Sequence, residues 1–230
     1  MTEAEAQAWL DSRGWWQGEA GERLRTYADM LLEEADRQNL ISAGSRDQLW
    51  ARHIVDSAQL LPLAEDRRGL WVDLGTGAGL PGIVIACLRP EPVLMIEVRP
   101  LRVAFLERCG DALGLSHARV VCDKVERVHL ETPASVISAR AYAPMDRLLS
   151  SAAYLTDSST IWLLPKGRNA HNELDIARRD WQASFHVEQS VTDSDSAIVT
   201  LTGLQRGAVP APKQKKSGAQ RRAAWKAQHK

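Results

Sequence analysis

The sequence predicts an α/β domain, a largely parallel sheet with helices on both faces, preceded by a helical extension. Three observations carry this. From Gly69 onward short apolar runs alternate with stretches of helical spacing, which is the pattern of a parallel sheet with crossover helices. A glycine-rich turn joins the first of those runs to the helix after it, and the residues before Gly69 show helical spacing alone. A chain of 230 residues with 44% hydrophobic and 25% charged residues fits one large domain with a sizeable core, and excludes a disordered or fibrous protein.

The elements follow in order. Leu24, Ala28, Leu31, Leu32 and Ala35 recur at helical spacing between Glu19 and about Gln38, and Trp50, Ile54, Ala58 and Leu61 do so between Arg46 and Leu61. These predict two amphipathic helices, joined by the polar connector Asn39 to Ser45, with Ser45 placed to cap the second. Pro62 and Gly69 bracket the exit. Leu70–Leu74 is the first strand, Pro81–Leu88 a helix with proline in its first turn, Val93–Val98 a strand and Leu101–Leu113 a helix. Ala118–Cys122 and Ser135–Ser138 are strands, Met145–Leu155 a helix, Ile161–Leu164 a strand and Asn169–Arg179 a helix. Phe185–Val191 and Ala197–Leu201 read as a closing antiparallel pair. This divides the chain into a helical extension over 1–68, an α/β core over 69–204 and a flexible basic tail over 205–230.

The tail carries eight Lys and Arg residues and no acid, which leaves 21 basic against 29 acidic residues in the body. The net charge of zero therefore hides a body of −8 and a tail of +8, an asymmetry suited to a polyanion partner. Lys213, Lys215, Lys216, Arg221 and Arg222 are its candidate residues for binding a polyanion such as RNA. Cys87, Cys109 and Cys122 are odd in number and lack CxxC spacing, so neither a disulfide framework nor a structural zinc site is expected. The acidic start of the chain does not look like a secretory signal and no apolar run reaches the ~18 residues of a membrane span, so a cytoplasmic protein with no membrane partner is expected.

The segment Trp71 to Gly82, WVDLGTGAGLPG, is the most informative. It leaves the first strand and opens a helix, where glycines let backbone N–H groups approach a ligand. Glu97 closes the next strand 22 residues after Gly75, the place of a carboxylate that binds ribose hydroxyls. Counted from Gly75 and Gly77, the third glycine of a dinucleotide fingerprint falls on Leu80; counted from Gly77 and Gly79 it falls on Gly82, with Pro81 inside the motif. Asp73, directly before the loop, suits the cationic amino-acid end of S-adenosylmethionine (SAM) and would repel a pyrophosphate. These residues favour SAM over a dinucleotide or a turn serving packing alone.

From about Asn39 to Leu201 the sequence resembles the bacterial RsmG (GidB) family, which methylates N7 of a guanine in the decoding-region loop of 16S ribosomal RNA. Asn39-Leu40 is similar to an NLT-like segment of that family, Arg52 to Ser57 to its RHxxDS signature, and Asp73 to Ile83 to its DxGTGxGLPGI loop. Arg89-Pro90, Lys124-Val125-Glu126, Ile137 to Ala141 and Lys166-Gly167 are similar to further family segments. Ser42 stands where Thr is usual, and Asp195-Ser196-Ala197 where the family has an Arg-His pair before the last strand.

The resemblance implies a Rossmann-like, seven-stranded class I SAM-dependent methyltransferase fold. It implies SAM contacts at Gly75 and Leu80, Glu97 on the ribose, Val125 and Glu126 near the adenine, and Arg140 beside the site. With Asp73, Gly77 and Gly79 from the loop, these form the expected cofactor set. The implied partner is 16S rRNA, within the small ribosomal subunit, and nothing demands more than a monomer.

Guanine N7 has a lone pair and no proton to lose, so no general base is required, and alignment of the reacting atoms carries the rate. Arg140, Lys166 and His53 are the candidates for positioning the acceptor: Arg140 through its planar fork, Lys166 on a phosphate, and His53 with Asp56 shaping the pocket. The chain lacks the Asn/Asp-Pro-Pro-aromatic box of enzymes acting on exocyclic amines, and no cysteine follows a proline as in cytosine C5 enzymes. A small-molecule methyltransferase and a non-catalytic ribosome-assembly factor are the competing readings. Trp9, Trp15 and Trp16 are expected to pack the extension more than to stack on bases.

Overall fold

The computed structural model describes residues 1–207; the tail residues Lys213, Lys215, Lys216, Arg221 and Arg222 lie outside the described residues. Seven strands form one sheet in the order β3-β2-β1-β4-β5-β7-β6. They are β1 (Trp71–Leu74), β2 (Val93–Glu97), β3 (Ala118–Cys122), β4 (Val136–Ser138), β5 (Ile161–Lys166), β6 (Trp181–Gln189) and β7 (Ala197–Arg206). The first five run parallel, while β7 lies antiparallel to both β5 and β6. The order reverses between β1 and β4, so a crevice opens beyond their carboxyl ends, where open α/β sheets bind ligands.

Side chains on successive strand positions point to opposite faces. Trp71, Val93, Met95 and Leu163 therefore enter one apolar cluster, and Val72, Leu74, Leu94, Ile96, Trp162 and Leu164 enter the other. The first cluster packs α4 (Gly82–Leu88) and α5 (Pro100–Ala112), and also holds Leu10, Leu24, Tyr27 and Leu31 of the extension. The second packs α6 (Met145–Ala152) and α7 (Ala170–Ala177). The extension thus shares a core with one face of the sheet.

Helix α1 (Glu3–Asp11) was not among the expected elements. Thr2 and Glu5 form a capping box: Thr2 Oγ1 accepts from Glu5 N at 3.2 Å and Glu5 Oε2 accepts from Thr2 N at 2.7 Å. Helix α2 (Gly18–Ala35) falls where its periodicity predicts. The second expected helix does not form as one regular element. A 3-10 stretch (Ala43–Gln48), a π-turn (Trp50–Val55), a short α3 (Asp56–Ala58) and another 3-10 turn (Leu61–Ala64) replace it. Of the expected apolar face Ile54 and Ala58 are buried and Trp50 and Leu61 half-buried, while Ala51 and Val55 are buried beside them, so apolar spacing does not fix the winding. The start of the π-turn is held from outside: Glu3 of α1 accepts from Trp50 N and Ala51 N at 3.0 and 2.9 Å, satisfying donors that a helix start leaves open.

The expected closing pair is longer than predicted, because β6 and β7 extend their antiparallel pairing to Trp181 and Arg206. No helix among the described residues is long and apolar enough to cross a membrane. Trp9 stacks edge-on with Trp15 and Trp16 with Trp50, centroids 5.9 and 4.9 Å apart, so these rings pack the extension.

Candidate active site

Three adjoining cavities open at the carboxyl ends of the parallel strands. The first, about 430 Å³, is lined by Gly75 after β1, Glu97 at the end of β2, Asp123 to Glu126 after β3, Arg102 of α5, and Ala141 and Tyr142 after β4. That volume lies within the ~300–1,000 Å³ usual for small-molecule sites. Gly75 has φ +62°, and a Cβ there would sit 2.4 Å from Cδ2 of the Tyr142 ring, so this position requires glycine both for conformation and for approach.

Glu97, 4% exposed, accepts from Gly77 N at 3.0 Å and from Val98 N and Arg99 N at 2.8 and 2.9 Å. The loop N–H that a pyrophosphate would need is thus already given to a carboxylate, and the residues fit SAM better than a dinucleotide. Arg102 links this cavity to the extension, 3.7 Å from Glu97 Oε2 and donating to Asn39 O at 3.4 Å. Val125 and Glu126 line the far end of the cavity, where the Tyr154 hydroxyl reaches the Val125 and Val128 carbonyl oxygens and pins the short turn between them.

Asp73 departs from its expected place. It is fully buried beneath the loop, accepting from Gly82 N at 3.0 Å and from Ser138 Oγ at 2.7 Å, and does not line the cavity. Burial raises its pKa to about 6 against the hydrogen bonds it accepts. It locks the glycine loop to β4. Gly77, Gly79 and Leu80 likewise shape the loop without lining the cavity; Leu80 is buried in the core and its N–H donates to Thr76 O at 3.1 Å. From the other side Tyr27 of α2 donates to Ala78 O at 2.8 Å, so the extension braces the loop.

The second cavity, about 540 Å³, shares Ala141 and Tyr142 with the first and continues to Asp56, Arg140, Lys166 and Glu173. Ala141 has φ +53°, a conformation unfavourable to an L residue, at the junction of the cavities. Arg140 Nη1 donates to Asp56 Oδ2 at 3.0 Å and to Arg52 O at 3.2 Å, and Nη2 lies 3.4 Å from His53 Nδ1. Since a guanidinium only donates, His53 Nδ1 accepts, and Nε2–H then donates to Ser45 Oγ at 2.9 Å. Burial first, then Arg140 and Arg52, depress the His53 pKa to about 4, keeping the ring neutral. Asp56 Oδ1 also accepts from Gln59 and Thr192, each at 3.0 Å. His53 and Asp56 therefore meet through Arg140, which joins the extension, β4 and the β6–β7 loop.

Lys166 is spent within the fold, donating to Glu173 Oε2 at 2.8 Å and to Ala143 O at 3.2 Å. Its expected hold on a phosphate would need that pair to open. The third cavity, about 740 Å³, borders Ser42, Ser45, Arg52, His53 and Arg140. Among the described residues no group of three His, Cys, Asp or Glu side chains is placed to hold a metal ion. Sequence reasoning missed Tyr142, Asp123, Arg102 and Glu173. Asp123 could have been found from its place directly after a strand; Tyr142 and Glu173 gave no signal outside their neighbours' motifs.

The fold resembles that of a TehB-like SAM-dependent methyltransferase from Corynebacterium glutamicum, with a TM-score of 0.52 at 15% identity over 78% of this chain and 97% of that one. Two curated relatives bear the name ribosomal RNA small subunit methyltransferase G. The one from Novosphingobium aromaticivorans is 46% identical, covering 92% of this chain and 93% of its own. The one from Zymomonas mobilis is 40% identical, covering 95% and 99%. With the family model for rRNA small subunit methyltransferase G matching residues 20–201 and such relatives over most of its length, the chain belongs to the rRNA small subunit methyltransferase G family.

Proposed function

We propose that this protein transfers a methyl group from SAM to N7 of a guanine in the decoding-region loop of 16S rRNA, on the small ribosomal subunit. The observation that carries the reading is the pair of cavities meeting at Ala141 and Tyr142: one is lined by Gly75 and Glu97, and the other is open beside Arg140. Bound SAM supplies a methyl group on a sulfonium, ready for displacement. The chain supplies position. Gly75 gives close approach, Glu97 holds a ribose, and the turn at Val125 and Glu126 walls the adenine.

No side chain has to take a proton from N7, and the half-buried His53 is tied instead to Arg140 and Ser45. Arg140, restrained by Asp56 and His53, is positioned to hold a phosphate or a base edge as the nucleotide enters. Its three partners fix the fork in advance, which is how positioning lowers a barrier. The basic tail supports the RNA reading through its charge. A cytoplasmic monomer fits this work.

Deleting the gene in the host bacterium tests this. The decoding-region 7-methylguanosine should vanish from 16S rRNA and return with the wild-type gene but not with Arg140→Ala. Persistence of that nucleoside in the deletion strain would send the search to a small-molecule acceptor.

A further inference from the structure

Glu173 stands on the wall of the second cavity. It lines that cavity but not the first, whereas Ala141 and Tyr142 line both. Its carboxylate is used unevenly. Oε2 accepts from Lys166 Nζ at 2.8 Å and from Met145 N at 2.9 Å, while Oε1 has no hydrogen-bond partner among the described residues. These bonds fix the carboxylate against the amino end of α6 and leave one oxygen free. The other carboxylate of the cavity is engaged on both oxygens, because Asp56 accepts from Arg140 on one and from Gln59 and Thr192 on the other.

A guanine in this cavity must turn N7 toward Ala141 and Tyr142, where the two cavities meet. Purine geometry then turns N1–H and the exocyclic N2 amine away from that junction, toward walls that belong to the second cavity alone, Glu173 among them. N1–H and the N2 amine are donors, and adenine offers an acceptor at N1 and no amine at C2. We infer that Glu173 is the specificity residue of this enzyme, its free Oε1 accepting from both N1–H and the N2 amine of guanine while Lys166 and Met145 hold Oε2. This rests on the reading of the second cavity as the acceptor site. Attack by N7 leaves the purine ring positively charged, so the bond from N1–H to a fixed carboxylate strengthens as the methyl is transferred. Lys166, expected to hold a phosphate, serves here to aim the carboxylate.

The test uses full-length protein and small subunits reconstituted with guanine, inosine or adenine at the target position. Inosine keeps N7, O6 and N1–H and lacks only the N2 amine. Wild-type kcat/KM should fall by roughly ten-fold or more on inosine, the scale of one lost hydrogen bond to a charged group. In Glu173→Gln the amide oxygen stays with Lys166 and Met145 N, and an NH2 group then faces the base. Guanine turnover should drop and the guanine-to-inosine ratio should approach one, with SAM affinity unchanged. Should Glu173→Gln fail to fold, Glu173→Asp withdraws the carboxylate and should lose the same discrimination.

Equal wild-type activity on guanine and inosine would overturn the inference. So would a Glu173 variant that loses activity equally on both, since that marks a structural role. No wild-type methylation of guanine at all would instead overturn the reading of the acceptor, and this inference with it.

Discussion

Asp73 and His53 titrate in the same pH interval with opposite effects on stability. Burial lifts Asp73 from its ordinary 3.8 to about 6, so between those values the folded protein binds a proton that the unfolded chain has released. Its contribution to stability therefore falls as pH rises through that interval. Burial and the neighbouring arginines lower His53 from 6.5 to about 4, so there the unfolded chain holds the extra proton, and stability rises with pH. At 1.36 kcal/mol per pH unit each effect amounts to about 3 kcal/mol. In the wild-type protein they largely offset each other. Urea denaturation followed by tryptophan fluorescence, with Trp71 and Trp162 fully buried, should separate them from pH 4 to 7.5. The stability of wild type relative to Asp73→Asn should fall by about 3 kcal/mol as pH rises. Relative to His53→Gln it should climb by about the same amount. Lost hydrogen bonds to Gly82 N and Ser138, or to Ser45, add only a constant offset to each curve. Two flat difference curves would refute the claim that these groups are buried as described.

Three further outcomes are expected. Tyr27→Phe removes the 2.8 Å bond to Ala78 O and leaves a buried carbonyl without its partner. That should cost about 1–3 kcal/mol. It should also lower Tm by roughly 3–10 °C and weaken SAM binding, and an unchanged Tm and Kd would show that the extension does not brace the loop. Gly75→Ala puts a Cβ 2.4 Å from the Tyr142 ring at φ +62° and should weaken SAM binding at least ~10-fold by calorimetry, since an L residue there costs roughly 1–2 kcal/mol before the clash is counted. Wild-type affinity would contradict the close approach. Cutting the chain after Gly207 removes seven Lys and Arg residues and should flatten the salt dependence of RNA binding by up to ~5 in log–log slope. An identical slope would remove the tail from the interface.

The parallel part of the sheet is legible in the sequence because most of its strands are short apolar runs, closed at Gly75, Glu97, Asp123 and Pro165. The run at 118–122 coincides with β3, and the short separation of the last two runs points to their antiparallel pairing. The glycine loop was legible too, since Gly75 needs its conformation locally. The role of Asp73 was not. Whether a carboxylate at a strand end faces a cavity or the fold depends on Ser138 and Gly82, 65 and 9 residues away. The irregular winding of residues 43–64 is hidden for a similar reason, because the π-turn within it is capped at Trp50 by Glu3, 47 residues earlier. Helix α1 itself could have been read from Thr2 and Glu5, whose spacing is that of a capping box. Lys166 and Glu173 form an ion pair across the turn between β5 and α7, a relation invisible until that turn is folded.

The central claim is transfer to guanine N7, and purified protein tests it directly. Small subunits from cells lacking the enzyme are incubated with methyl-labelled SAM, and the RNA is digested and mapped by mass spectrometry. One labelled 7-methylguanosine in the decoding-region loop, absent with Glu97→Ala and Arg140→Ala, is the predicted result. Label on another base or position, or SAM binding with no label on RNA, would contradict the account.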